Sequence, residues 1–395
     1  MAVSKLLATL VAAMDEKAKI RVLHLSSERS WRGGEQQIAY LIQATRNMGV
    51  EALVAARTGS AFQEWCMEEG VEVHGMPFVN SMDARSALML RSLARKKRID
   101  LIHVHSGKAH GIAYLASVLG MRVPIIVHRR VDFPIGTSHW KLAKYRHRNV
   151  KRIICVSQAI ADIVNATLAK PEMVKVVHDG IDFTRFEQGA EPQYARSLLG
   201  TAVDDDTLLV ANVAALAPHK DYPSFLRTAA KVAATRSDVH FMAIGEGDDR
   251  PALESLHKGL GLEGKCSFLG FREDVPQLLQ SIDIFLITSK TEGLGSSIID
   301  AMYCGLPVVA TRAGGIPEIV EEGVSGLLCA PGDLDCLATQ LQRLLDDAAL
   351  REKMGRAGKE RSKQFSAEKM GRKVVELYRQ SLAEQASQGL KSQKR

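Results

Sequence analysis

Short apolar runs alternate with helix-like patterns along this chain, and the alternation starts twice. In the first half the runs are Ile20–Leu25, Glu51–Ala56, Val71–Met76, Leu101–His105, Ile125–His128, Ile153–Val156 and Val174–His178. Helical patterns cover about Glu35–Met48, Phe62–Glu69 and Ser86–Lys97, and another begins near Gln158. A polar stretch at 187–206, with Gly189, Pro192 and Asp204-Asp205-Asp206, breaks the pattern. It resumes with Leu208–Val213, His240–Ile244, Lys265–Leu269, Ile284–Thr288, Val308–Ala310 and Gly326–Cys329. Strands separated by helices pair in parallel, and the helices cover both faces of the sheet. The expected fold class is α/β: two Rossmann-like, doubly wound domains facing across a cleft, 20–186 and 207–365, joined by a linker at 187–206. Ser366–Gln385 reads as one long helix with Ser366 as N-cap and Val374, Val375, Leu377 and Leu382 on its apolar side, followed by a frayed tail at 386–395.

A chain of 395 residues, 46% hydrophobic and 25% charged, can bury a core that needs no disulfide or metal staple. The cysteines, Cys66, Cys155, Cys266, Cys304, Cys329 and Cys336, form no Cys-x-x-Cys pair and are read as free buried thiols. The first 19 residues, MAVSKLLATLVAAMDEKAK, carry an apolar run too short to span a bilayer and no clear cleavage site. They are expected to form a leading amphipathic helix on a cytoplasmic protein.

The net charge of +7 is uneven: residues 1–185 carry +11 and the remainder −4. The densest basic stretch is KLAKYRHRNVKR, 141–152. A basic half suits a phosphorylated substrate or the anionic inner face of the cell membrane, where the protein would sit peripherally. Aromatic residues are 5% and do not interleave with the basic ones, so nucleic acid is not an expected partner.

Ligands of open α/β sheets bind beyond the carboxyl ends of the strands. The strongest signal there is TEGLGSSIIDAM, Thr291–Met302, after the run Ile284–Thr288. Gly293 and Gly295 allow a tight turn past Leu294, and the amides of Gly295, Ser296 and Ser297 then open a helix that favours an anion. Glu292 at the mouth of that turn suits sugar hydroxyls rather than phosphate, and Asp300, one turn into the helix, could accept from vicinal hydroxyls. Gly314-Gly315, before Ile316-Pro317-Glu318, make a second amide-rich turn. Lys220, in the loop after Leu208–Val213, could neutralise a leaving diphosphate. In the first half, Gly33 and Gly34 link the first strand to its helix without the G-x-G-x-x-G spacing of dinucleotide sites. His128 ends a strand and precedes Arg129 and Arg130. His103 and His105 could share a strand face, but no third ligand lies near them in sequence, so no metal is expected.

These motifs, in this order, resemble the GT-B glycosyltransferases of retaining family 4, over about residues 20–385. Glu292 and Asp300 fall on that family's E-x7-E pattern, Lys220 on the lysine of its R-L-x-x-x-K-G loop, and Gly314-Gly315-Ile316-Pro317-Glu318 on its G-G-x-x-E turn. Gly33-Gly34 is similar to its N-terminal glycine loop, and His178-Asp179-Gly180-Ile181-Asp182 to its N-G-V-D segment. The resemblance implies a metal-independent, retaining hexosyltransferase that needs no cofactor and takes a nucleotide diphospho-sugar as donor. It assigns catalytic roles to Glu292, Lys220 and His128. It assigns donor binding to Gly33, Gly34, Arg272, Gly293, Leu294, Gly295, Ser296, Asp300, Gly314 and Gly315. Phe271-Arg272 would lie near the base, and the last helix would return to the N-terminal domain. A glycan or lipid-linked acceptor in bacterial cell-envelope or lipopolysaccharide assembly is the implied partner. The alternatives are a non-catalytic nucleotide- or glycan-binding scaffold and another GT-B enzyme such as a UDP-sugar epimerase. Two positions depart from the pattern. Asp300 is one methylene shorter than the usual Glu, and Ala215 stands where the family has arginine, leaving Arg129, Arg130 and Arg272 as replacements.

Overall fold

The computed structural model describes residues 19–200 and 203–393. The leading helix expected at 1–19 therefore lies, but for Lys19, outside the described residues. The chain divides into two compact units. Unit 1 runs to Gly180 and resumes at Ala367; unit 2 is Ile181–Ser366.

Unit 1 is a seven-stranded sheet: β1 (Ile20–Ser26), β2 (Val50–Arg57), β3 (Glu72–Met76), β4 (Leu101–Val104), β5 (Ile125–Arg129), β6 (Val150–Cys155) and β7 (Val174–Val176). The strands are parallel, in the order β3-β2-β1-β4-β5-β6-β7. β-Branched and leucine residues dominate the central strands because helices cover both faces. Leu23, Leu25, Ile102, Val104, Ile126, Ile153 and Ile154 are all inaccessible to solvent, each stabilising the fold by about 1.5–3 kcal/mol of apolar transfer. Ser60, Asp83, Ser106 and Ser157 start the following helices by accepting from the backbone N–H of Gln63, Ser86, Ala109 and Ile160, caps of about 1 kcal/mol each.

Unit 2 is a six-stranded parallel sheet: β8 (Leu208–Val213), β9 (Val239–Ile244), β10 (Cys266–Gly270), β11 (Ile284–Ile287), β12 (Val308–Thr311) and β13 (Gly326–Cys329). Its order is β10-β9-β8-β11-β12-β13. Counted from its own first strand, this is the 3-2-1-4-5-6 doubly wound order that unit 1 also contains.

Four expectations change. The stretch 187–206 is not a free linker: the division falls at Gly180/Ile181. Tyr194–Leu199 within that stretch forms a helix whose Ala195 is fully buried and donates its N–H to Ser281 Oγ at 3.1 Å. The last helix, Ala367–Gln393, runs well past the expected 385. It belongs to unit 1, buries Val374, Val375, Leu377 and Tyr378, and pairs Glu384 with Arg152. The cysteines are not all free: Cys329 at the end of β13 and Cys336 in the next helix are disulfide-bonded. A strand–turn–helix return brings them together across seven residues, which no Cys-x-x-Cys spacing announces. Cys66, Cys155 and Cys266 are free and buried, and burial pushes their thiols up to about 12. The basic stretch 141–152 offers only part of its charge to an anionic partner: Lys141, Arg146 and Arg148 are exposed, whereas Lys144, Lys151 and Arg152 are half-buried. Burial and the neighbouring Arg129 charge pull Lys144 down to about 8. No described helix is long and apolar enough to cross a membrane.

Candidate functional site

A doubly wound sheet opens a crevice where its strand order reverses. In unit 2 that point lies between β8 and β11. The loop leaving β8 carries Lys220, and the loop leaving β11 carries Glu292. Lys220 Nζ donates to Glu292 Oε1 at 2.6 Å, and Ser289 Oγ donates to the same oxygen at 2.8 Å. Both groups are mostly covered, with side-chain exposures of 19% and 7%.

Asp221 holds the two loops in register. It adopts a left-handed φ of 50°, unusual for a non-glycine residue. Its carbonyl accepts from Thr288 Oγ1 at 3.0 Å, and its carboxylate accepts from Ser224 Oγ at 2.7 Å and faces Lys290 Nζ at 3.3 Å. The His219 carbonyl accepts from Lys290 N at 2.8 Å. These partners together hold the strained backbone of Asp221 in place.

The glycine turns meet here. The helix Ser296–Tyr303 starts at Gly295, which has a φ of 91° and no side-chain cap. Helix geometry leaves the Ser296 and Ser297 amides without intrahelical acceptors. A Cβ on Gly314, whose φ is 50°, would lie 1.8 Å from the Glu292 carbonyl oxygen, and Gly315 N donates to that oxygen at 3.3 Å. The second turn thus packs directly on the residue that carries the carboxylate. By contrast with the capped helices of unit 1, the helix Ser296–Tyr303 begins with no side chain capping its first amides.

Asp300 lies one turn inside its helix and is 14% exposed. Its Oδ1 has no hydrogen-bond partner, and Arg185 Nη1 is 3.8 Å away. Burial raises its carboxyl to about 6, against the lowering pull of Arg185. Ala215 is exposed. Arg272 is engaged by Asp274, at 2.7 Å through Nε, and Tyr194 also donates to that carboxylate. Phe271 beside it is 65% exposed.

In unit 1 the reversal lies between β1 and β4. Gly33 and Gly34 open the helix Gly33–Thr45, again with no side-chain cap, and nothing lies within 4 Å of a Cβ on either. Beneath them Glu35 is buried and accepts from Ser26 Oγ at 3.0 Å, and burial raises its carboxyl. At the carboxyl end of β4, His103 and His105 do find a third histidine, contrary to the reading of the sequence. His24 comes from the neighbouring strand β1, in register with His103, and ring nitrogens of the three lie within 4.8 Å of one another. His128 stacks on His103 at 5.2 Å. The His128 side chain is fully covered. Arg129 turns inward to Tyr145 Oη at 3.1 Å and to the Phe133 carbonyl, so it does not replace the missing arginine. Arg130 is held by Asp179, Nε to Oδ1 at 3.1 Å and to Oδ2 at 3.2 Å. His24, Ser289, Asp221 and Arg185 escaped the reading of the sequence, because each gains meaning only from a partner far along the chain.

Comparison with known proteins agrees with this geometry. The family model described as "Glycosyltransferase Family 4" matches residues 31–185, and that described as "Glycosyl transferases group 1" matches residues 200–361. N-acetyl-alpha-D-glucosaminyl L-malate synthase of Bacillus anthracis is 28% identical over 307 residues, 75% of this chain and 78% of that one. The lipopolysaccharide core biosynthesis glycosyltransferase LpsE of Rhizobium meliloti is 25% identical over 354 residues, 89% of this chain and 96% of that one. The crystal structure of Anabaena HepE in complex with UDP-glucose superposes with a TM-score of 0.78 and 25% identity, covering 91% of this chain and 99% of that one. The uncapped glycine turns at Gly33-Gly34 and at Gly295, the Lys220–Glu292 pair and these matches lead to one conclusion: the chain belongs to glycosyltransferase family 4 and has the GT-B fold.

Proposed function

We propose that the chain transfers a hexose from a UDP-sugar, with retention of configuration and without a metal ion, to a glycan or lipid-linked acceptor of the cell envelope. The observation that carries this is the Lys220–Glu292 pair at the reversal point of unit 2, set between two amide-rich turns. Lys220 and the amides of Ser296 and Ser297 supply the positive charge that a departing diphosphate needs, which is the work a divalent cation does elsewhere. Both protein donors to Glu292 converge on Oε1, which leaves Oε2 for a hydroxyl of the transferring sugar. Asp300 is assigned to the ribose hydroxyls, and Phe271 to the face of the base. Leu294 and Gly293 shape the turn, and Gly33 and Gly34 keep the backbone open at the reversal point of unit 1. The likeness to a protein solved with UDP-glucose supports uridine as the base, and the likeness to LpsE supports an envelope acceptor.

Retention follows most simply from attack on the face that the diphosphate leaves. The acceptor oxygen bonds to the anomeric carbon as the bond to the diphosphate breaks, and the acceptor proton passes to the diphosphate oxygen. Lys220 stabilises the charge that grows there. The exposed Lys141, Arg146 and Arg148 favour acceptor delivery at an anionic bilayer on the cytoplasmic side.

The test is release of UDP from a panel of UDP-sugars in the presence of an envelope-lipid extract, with the anomeric configuration of the product read by NMR. Acceptor-dependent UDP release with a retained anomer is expected. Binding of UDP-sugars without turnover under any acceptor would make the protein a scaffold. Thermal stabilisation by NAD(P) alone would overturn the donor assignment.

A further inference from the structure

Four imidazoles crowd the carboxyl ends of β1, β4 and β5: His24, His103, His105 and His128. Three of them offer nitrogens within 4.8 Å of one another, the constellation a zinc-type ion takes. Arg130 bears on that reading. A guanidinium carries only donors and stays protonated in proteins. Its Nη1 lies 3.2 Å from His105 Nδ1 and its Nη2 lies 3.3 Å from His128 Nδ1. A group that cannot accept requires a lone pair at each Nδ1, so in both neutral rings the proton sits on Nε2. His105 Nε2 is 3.0 Å from His24 Nδ1. That N–H donates to His24 and places the His24 proton on Nε2 in turn. A protonated ring nitrogen has no lone pair for a metal, and the other nitrogen of His105 is occupied by Arg130. The Asp179 carboxylate, whose two oxygens share the Arg130 Nε–H, keeps the guanidinium in this position.

We infer that Arg130 is a positioning residue that locks His24, His105 and His128 as Nε2–H tautomers, which denies a metal ion the lone pairs of the cluster and leaves the Nε2–H groups of His24 and His128 to donate to an oxygen-bearing ligand. The lock stands on the geometry alone. Only the identity of the ligand, a hydroxyl of the sugar or acceptor, rests on the glycosyl-transfer reading. Two observations agree with it. His24 Nε2 and His128 Nε2 are buried without a partner, an arrangement that costs free energy until an acceptor arrives. All four imidazoles are pushed toward the neutral form, first by burial, then by Arg130 at His24 and His128 and by a neighbouring histidine ahead of Arg130 at His103 and His105. The groups facing His128 are His103, His105, His24, Arg130 and Asp179, whose Oδ1 is 3.9 Å from Nε2. His103 is in turn bound through Nδ1 to Tyr378 Oη at 2.6 Å.

The test begins with the intact wild-type protein carrying 15N-labelled histidine. Two-bond proton–nitrogen spectra between pH 6 and 8, assigned with His105→Gln and His128→Gln, are expected to show neutral Nε2–H rings for His24, His105 and His128. An Nδ1–H ring at His105 or His128 would overturn the lock, whatever reaction the protein performs. Cobalt(II) absorption is the second readout. Wild type is expected to take up none at the cluster, whereas Arg130→Met is expected to bind one ion per chain and to lose it on adding His103→Ala. Cobalt uptake by wild type that His24→Ala abolishes would refute the inference. Should Arg130→Met not fold, the wild-type spectra decide. In the transfer assay, wild type should be flat from pH 6 to 8. Arg130→Met should lose about tenfold per pH unit below the pKa of its freed histidine, with partial rescue by added guanidinium. Superimposable pH profiles would reduce Arg130 to a structural role.

Discussion

Gly314→Ala separates packing strain from site geometry. The substitution brings two penalties of different origin. The left-handed φ of 50° costs an L-residue about 1–2 kcal/mol. The new Cβ would also sit 1.8 Å from the Glu292 carbonyl oxygen. Real contacts of this kind are well above 3 Å, so one of the two turns must move by about 1 Å, and overpacking of that kind costs about 1–3 kcal/mol. The expected loss is roughly 2–5 kcal/mol. At about 2–4 °C per kcal/mol for a unit of this size, the melting temperature should fall by roughly 5–15 °C. The moving segment carries Glu292, and a misplacement of about 1 Å can cost on the order of 10² in rate. Gly323→Ala is the control: its φ of 73° incurs the same left-handed penalty, but nothing lies within 4 Å of its Cβ. The assay is thermal unfolding together with kcat for both variants. If Gly314→Ala melts and turns over like Gly323→Ala, the close approach of the two turns is wrong.

Asp300 should give the protein an inverted pH signature. Its folded carboxyl titrates at about 6, above the ordinary 3.8, so between those values the folded state binds more protons than the unfolded one. Stability from this group is present below about pH 4 and is lost as pH rises through 6. Asp300→Asn should therefore raise stability at pH 7.5 by up to about 3 kcal/mol, with no gain at pH 4, while weakening donor binding; a destabilised variant at pH 7.5 would contradict the burial argument. Tyr378→Phe removes the 2.6 Å bond to His103 and leaves Nδ1 of that ring unpaired in the core. A loss of about 1–3 kcal/mol in denaturant unfolding is expected, and no change would show that the Tyr378–His103 bond contributes nothing.

Much of the fold was legible because hydrophobic periodicity is local. All thirteen strands of the structure correspond to runs read from the sequence, and β8 and β13 coincide with theirs residue for residue. The two glycine turns of unit 2 were equally legible as turns, since glycines between a strand and a helix permit the left-handed backbone that Gly295 and Gly314 adopt. What the sequence hid was non-local. Cys329 and Cys336 meet only because β13 turns back into a helix. The stretch 187–206 has a loop's composition, yet Ala195 docks against Ser281, which lies far along the chain. His24 is unremarkable beside Leu23 and Leu25 until the sheet order sets it next to His103. The three candidate replacements for the arginine missing at Ala215 looked alike in sequence. Partners separate them: Arg129 is turned into the core, Arg272 is tied to Asp274, and Arg130 is committed to Asp179 and two histidines.

The central claim is that Lys220 stabilises the leaving diphosphate while Glu292 holds the sugar. Single-turnover transfer from a UDP-sugar by Lys220→Ala, with UDP release and donor affinity measured on the same preparation, tests it most directly. The account predicts a fall in the transfer rate on the order of 10²–10³, with the sugar still bound through Glu292. A Lys220→Ala protein that transfers at a near-normal rate would contradict it.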